Sequence, residues 1–343
     1  MMRYPDFLRP NGTVGFVAPS FGAAEDPYKS AFLYAVKRLQ SLGYRTAAGP
    51  NCFAAEGVGI SSAPERCGAE LNEMYLGNGA DVLLSVGGGE LMCEVVPYID
   101  FAAIAVAKPK WYMGFSDNTN FTFLSATIAD TAAIYGPNAP SFGMEPLHHS
   151  LNDALDVLTG ATAAVKSYDQ WELVSEKDAE HPLAPYHLTE QTAYRYFNCG
   201  GEAVVKLEGR LLGGCVDCLV TLLGTRFDRV RAFNERYRTD GVLWFLECCD
   251  LNPFGMRRAY WQMREAGWFD TAAGFFIGRP NHFSEELMGC DRFTALEPLL
   301  SLGKPVIADV DLGHLPPMLP FVTGALAEAV AEGDELELRY RFA

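Results

Sequence analysis

Lys110-Trp111-Tyr112-Met113-Gly114-Phe115-Ser116-Asp117-Asn118-Thr119-Asn120 is the stretch from which the fold is read. A short apolar run reaches Gly114, a Ser follows two residues later, and Phe121-Thr122-Phe123-Leu124-Ser125-Ala126 continues as a segment apolar enough for a buried helix. A strand that turns sharply into a helix pushes such a hydroxyl out of the sheet. The helix start behind it offers free N–H groups to a developing oxyanion. The pattern is half of G-x-S-x-G, because Asn118 stands where the second Gly would be. A Ser that caps the helix explains the local sequence as well.

Upstream, residues 13–20 read as a buried parallel strand ending in a small-residue loop. Residues 30–42 read as a helix with Phe32, Leu33, Val36, Leu39 and Leu42 on its apolar positions and Gly43 as its stop. Residues 44–48 give a second strand, 63–77 a helix, and 80–86 a third strand that runs into Gly87-Gly88-Gly89. Residues 91–99 read as a short helix, and 111–114 as the fourth strand, with Ser116 at its carboxyl end. This alternation predicts a parallel sheet with helices on both faces and a site beyond the carboxyl ends of the strands, where Gly87–Gly89 and Ser116 would meet.

From about residue 145 to 199 the alternation fades, and the polar, proline-marked stretch 168–186 reads as a linker plus a long excursion. A second domain starts with a strand over 204–211, followed by Gly213-Gly214 and an apolar helix over 215–223. Residues 241–247 form a buried strand ending in Glu247, 254–266 a helix, and 274–279 and 305–310 two further strands. Residues 325–330 and 335–341 alternate like edge strands. The expected division is an N-terminal domain over 1–165 carrying the nucleophile, a linker and substrate-loop excursion over 166–200, and a C-terminal domain over 201–343.

Composition narrows the function classes. With 343 residues, 49% hydrophobic and 20% charged, the chain suits one large or two ordinary globular domains. Its net charge of −16 argues against nucleic acid or an anionic membrane as partner, since both need a basic face. No stretch of 18 or more uninterrupted apolar residues and no signal peptide are visible. The nine cysteines are odd in number and scattered, which fits reduced thiols in a cytoplasm.

Ser116, Glu247 and His314 can be weighed together. A serine hydroxyl needs a base such as imidazole, and the imidazole needs a carboxylate to fix its tautomer and stabilise its cation. Each has a plainer reading: Ser116 as a cap, Glu247 as a buried acid paired with Arg257 or Arg258, His314 as a loop residue between Gly313 and two prolines. Cys215-x-x-Cys218 and Cys248-Cys249 read as buried structural thiols, because no second pair has zinc spacing. Gly87–Gly89 lacks the Lys-Ser/Thr of a phosphate loop. No metal and no organic cofactor is expected.

Taken together, Gly88-Gly89 after a strand, Gly114-Phe115-Ser116-Asp117 entering a helix, residues 209–214 (GRLLGG), Phe245-Leu246-Glu247 and the late run Asp309 to Pro317 resemble the LD-carboxypeptidase family of serine peptidases. The resemblance implies an α/β fold, a Rossmann- or flavodoxin-like parallel-sheet N-terminal domain plus a smaller C-terminal α/β domain, usually in a homodimer. It implies a catalytic triad of Ser116, Glu247 and His314, with the backbone N–H groups of Asp117 and Gly89 as the oxyanion hole and Gly88 against the substrate. Asp117 after the nucleophile is then a family trait.

The family has two main branches. One cleaves the L–D bond of cell-wall muropeptides; the other resembles the microcin C immunity peptidase, which releases an amino acid from an aminoacyl-nucleotide analogue. The Pro97–Asp100 segment, the Tyr135-Gly136-Pro137-Asn138 run and the Trp171-bearing excursion look more like the second branch. There Trp171 is expected either to stack on a nucleobase or to pack a domain junction. Cys215 stands where relatives commonly carry a substrate-contacting Asn, and a thiol is a weaker hydrogen-bond partner. The expected partner is therefore a small peptide or aminoacyl-nucleotide substrate. A catalytically inactive binding homologue is the competing class.

Overall fold

The computed structural model describes residues 1–342. Five parallel strands lead the chain: β1 (Thr13–Val17), β2 (Arg45–Ala48), β3 (Val82–Ser85), β4 (Tyr112–Gly114) and β5 (Ala133–Tyr135), in the order β5-β4-β3-β1-β2. Val82–Ser85 is buried at every position, as a continuous apolar run between two helical layers must be, whereas β2 at the sheet edge is half exposed. The order reverses between β1 and β3. Ligands of open α/β sheets sit in the crevice beyond the carboxyl ends at such a reversal.

The remaining strands are β6 (Ala164–Lys166), β7 (Gln170–Trp171), β8 (Glu190–Gln191), β9 (Arg195–Phe197), β10 (Val204–Cys215), β11 (Val242–Glu247), β12 (Ala272–Gly278), β13 (Val306–Val310), β14 (Phe321–Thr323), β15 (Leu326–Glu332) and β16 (Glu335–Arg341). Eight of them form the second sheet, β6-β16-β15-β10-β11-β12-β13-β9, whose centre, β10 to β13, is parallel. Strand β14 crosses back to pair antiparallel with β5 in the first sheet, and β6 and β9 from the middle of the chain pair into the second. The two sheets are thus stitched by exchanged strands.

The helix Thr119–Ala129 lies between them and touches β4, β5 and β10. It is buried on nearly every side, which explains why its sequence carries Phe121, Phe123 and Leu124 and no charged residue. A Cβ on Gly214 would come within 2.7 Å of the Thr119 side chain, so this helix packs directly on β10.

Several expectations change. The tail strands are not edges: β15 lies between β10 and β16, and β16 between β15 and β6, so their alternation reflects one buried face, not a free edge. Residues 91–99 form two 3₁₀ turns, Met92–Glu94 and Val96–Tyr98, because Pro97 removes a donor a longer helix would need. The excursion holds a short β7–β8 hairpin and β9. Cys215 ends β10, and the helix begins at Val216. No helix among the described residues is long and apolar enough to cross a membrane.

Candidate active site

Both sheets aim the carboxyl ends of their parallel strands at one cavity of about 650 Å³. From the first sheet come Phe21 after β1, Gly87, Gly88 and Gly89 after β3, and Ser116 after β4; from the second come Cys215, Cys249 and His314.

Ser116 sits at φ 63°, a left-handed conformation that a non-glycine residue adopts only when its surroundings impose it. The imposition is visible. Its N–H donates to the Tyr135 hydroxyl at 3.0 Å, and the Asn118 amide two residues on donates to Gly87 O at 2.8 Å. No side-chain cap bond is made at the start of either the 3₁₀ turn Ser116–Asn118 or the following helix, so the plainer reading of Ser116 as a cap fails. Its hydroxyl points elsewhere: Ser116 Oγ lies 2.9 Å from His314 Nε2.

His314 Nδ1 lies 2.8 Å from Glu247 Oε2. Glu247 is fully buried at the end of β11, and its other oxygen accepts the Tyr135 hydroxyl at 2.6 Å. It does not pair with an arginine; Arg257 instead donates to the Thr294 carbonyl. Burial works against the Glu247 charge, but His314 beside it and the hydrogen bonds from His314 and Tyr135 outweigh that and hold the carboxyl below its usual value. For His314 burial likewise opposes the cation, yet Glu247 prevails and raises the imidazole well above its ordinary 6.5. The loop carrying His314 approaches closely because Gly313 has no side chain: at φ 100°, a Cβ there would stand 2.7 Å from Glu247 Oε2.

Asp117 is buried, and burial pushes its carboxyl up. It accepts hydrogen bonds from Ser20 Oγ at 2.5 Å, Met92 N at 2.9 Å and Asn120 Nδ2 at 2.9 Å. The side chain therefore ties the loops after β1 and β3 to the turn that carries Ser116. Its backbone N–H belongs to the first turn of a helical segment, where no intrahelical acceptor exists. Gly89 lines the same cavity at φ 156°, and a Cβ there would meet Ser20 Oγ at 2.1 Å. A Cβ on Gly88 would lie 3.1 Å from Ser116 Oγ, so only glycine leaves the space in front of the hydroxyl open.

Cys215 lines the cavity, but its thiol leans 3.4 Å from Asp217 Oδ2 while its N–H donates to Thr119 Oγ1 at 2.9 Å. Trp171 requires a correction. It is 3% exposed, packs its ring 4.8 Å from Phe283 with the Arg279 guanidinium 4.9 Å over its face, and donates Nε1–H to Gln191 O. It does not line the cavity, because β7 pairs with β8 and turns the indole toward the second sheet; of the two expected roles, packing is the one observed.

Sequence reasoning uses Tyr135 only as part of the Tyr135–Asn138 run and misses its contacts with Ser116 and Glu247, as it misses the cavity rim. That rim carries Phe21 and Tyr28, 44% and 61% exposed, with Lys177 Nζ 5.7 Å over the Tyr28 ring. Lys177 comes from the same excursion as Trp171 and does reach the cavity. Among the described residues no cluster of His, Cys, Asp and Glu has the arrangement of a metal site.

Comparison with known proteins agrees with this layout. Residues 14–136 match the LD-carboxypeptidase N-terminal domain and residues 208–329 the LD-carboxypeptidase C-terminal domain. The chain is 26% identical over 324 residues to the microcin C7 self-immunity protein MccF of Escherichia coli, covering 91% of this chain and 88% of that protein. It is 27% identical over 335 residues to the probable murein peptide carboxypeptidase of Bacillus subtilis (strain 168), covering 94% and 90%. The solved structure of MccF in complex with aspartyl sulfamoyl adenosine superposes with a TM-score of 0.80 at 20% identity, over 98% of both chains. The chain belongs to the LD-carboxypeptidase family of serine peptidases.

Proposed function

We propose that this chain hydrolyses an amide or acyl-sulfamate bond through Ser116, His314 and Glu247, releasing the amino acid from an aminoacyl-nucleotide substrate. The observation that carries the reading is the unbroken chain of contacts from Ser116 Oγ to His314 Nε2 at 2.9 Å and from His314 Nδ1 to Glu247 Oε2 at 2.8 Å. Ser116 Oγ attacks the acyl carbon as His314 Nε2 takes its proton. Glu247 holds the imidazole by Nδ1–H and balances the cation. The N–H groups of Asp117 and Gly89 receive the oxyanion, His314 returns the proton to the leaving group, and water resolves the acyl-enzyme by the same route.

Support for the nucleotide comes from the rim. Exposed Phe21 and Tyr28 offer aromatic faces to a base, and Lys177 offers a cation to a sulfamate or phosphate. These residues take over the stacking role expected of Trp171. The likeness to MccF, whose structure is solved in complex with a sulfamoyl nucleoside, supports the same choice. A second reading, hydrolysis of an L,D-muropeptide, is favoured by the match to the murein peptide carboxypeptidase over 94% of this chain.

The deciding experiment measures hydrolysis of aminoacyl sulfamoyl adenosines against an L,D-tetrapeptide. Release of the amino acid from the nucleoside with a higher kcat/KM is expected. Faster cleavage of the tetrapeptide transfers the assignment to the muropeptide class. Turnover of neither would point to the inactive binding homologue.

A further inference from the structure

We infer that Tyr135 is a positioning residue of the hydrolytic site, its hydroxyl closing the Ser116–His314–Glu247 contacts into a ring that returns to the backbone of Ser116 itself. This rests on the serine hydrolase reading above. The Tyr135 oxygen accepts the Ser116 N–H at 3.0 Å and donates its own proton to Glu247 Oε1 at 2.6 Å. Glu247 Oε2 is engaged by His314 Nδ1 at 2.8 Å, and His314 Nε2 by Ser116 Oγ at 2.9 Å. Starting from the backbone of Ser116, the hydrogen bonds therefore pass through three side chains and arrive at its hydroxyl.

The chemistry of this ring has three consequences. A fully buried carboxylate needs partners for both oxygens, and Tyr135 supplies the second, leaving Oε2 free to face the imidazole squarely. The Ser116 N–H is consumed, so the oxyanion must be received by other N–H groups, which is why Asp117 and Gly89 rather than the nucleophile's own amide are suited to that task. Finally, Ser116 is held at φ 63° by a side chain that also fixes its acid partner, so nucleophile and triad carboxylate cannot drift independently.

The tyrosine is well placed to act only through its hydroxyl. Its ring is fully buried, 5.6 Å from Phe245 and 6.3 Å from Phe115, and phenylalanine preserves those contacts. It stands in the strand next to β4 and reaches across to β11, so the bond it makes spans the two sheets.

Tyr135→Phe tests the role. A hydrogen bond to a buried charged group is strong enough that kcat should fall about 10- to 100-fold, with KM little changed. Glu247, having lost a donor to its charged form, becomes more basic and holds the His314 proton more firmly, so the acid limb of kcat/KM moves to higher pH. Cys249 and Glu90 also face His314, but neither is altered by the substitution. The proton on His314 Nδ1, read as a downfield resonance, should shift in the variant. A wild-type kcat with an unmoved limb and resonance would overturn the inference, and so would a Tyr135→Phe chain that no longer folds, since that places the hydroxyl in stability instead of the site. Ser116→Ala separates the two levels: an active Ser116→Ala chain sinks the hydrolase reading, whereas an inactive one beside an unaffected Tyr135→Phe sinks only the role of Tyr135.

Discussion

The two sheets contribute to the cavity in different ways. The first holds Ser116, the proposed nucleophile, in contiguous sequence: β3, its glycine turn, β4 and the helix Thr119–Ala129 all lie between Val82 and Ala129. The second supplies Glu247 and His314 from residues 67 apart in the chain, and the partner of His314 on the other side, Ser116, is 198 residues away. The half around Ser116 is therefore built on local backbone geometry, a strained turn held by Asn118 and Tyr135. The half around Glu247 and His314 depends on burial and on one close backbone approach at Gly313. A site divided in this way fails differently depending on which half is touched.

Removing the proposed nucleophile is the most severe test. Ser116→Ala should lower kcat by about 10⁶-fold, the loss typical of a triad member, while circular dichroism and the melting curve stay close to wild type because the hydroxyl holds little of the core. A variant with substantial turnover would break the assignment of the first sheet as the nucleophile half.

Next comes the acid. Glu247→Gln should lower kcat by about 10⁴-fold. The sign of the pH effect is specific. The proposed reaction needs neutral His314, and Glu247 holds that imidazole above its ordinary 6.5, so activity of the wild-type chain should rise with pH through a limb lying above 6.5. Replacing the charge with an amide removes the main upward influence, and the limb should move to lower pH even as the plateau falls. This is opposite to the shift expected for Tyr135→Phe, and measuring kcat/KM against pH for both variants separates the charge of Glu247 from its positioning. A limb that stays in place in Glu247→Gln would mean that another group sets the profile.

The smallest effect on activity should come from Trp171→Ala. The indole is packed between Phe283 and Arg279, so its removal should cost about 3 kcal/mol or more of unfolding free energy, seen as a lower denaturant midpoint. At a temperature where the variant is folded, kcat/KM should be unchanged on nucleotide and peptide substrates alike. A selective loss on the nucleotide would return Trp171 to the site and sharpen the contrast between rim and core of the excursion.

Much of the layout is legible in the amino-acid sequence. Periodicity locates β1, β3, β4 and β10 to β13, since buried parallel strands read as short apolar runs, β2 follows from its place after a helix and Gly43, and Gly114-Phe115-Ser116-Asp117 marks the turn that carries Ser116. Strand β5 escapes such a reading, because three residues after a buried helix carry too little pattern, and the contacts of Tyr135 escape with it. The tail reads as edge strands because alternation reports one wet face and cannot report which neighbours pair.

The residue types of the site are a property of the sequence alone: a serine after a strand, an acid ending an apolar strand, a histidine in a glycine- and proline-bounded loop, and glycines where no side chain fits. Their mutual distances belong to the tertiary structure. The ring through Tyr135, the turn of Trp171 away from the cavity and the arrival of Phe21, Tyr28 and Lys177 at its rim all depend on how strands from distant segments pair. Local sequence sets which groups stand at the ends of strands, because backbone propensity and burial pattern act over a few residues. Which ends face one another is decided by long-range packing, where no periodicity within a segment carries the information.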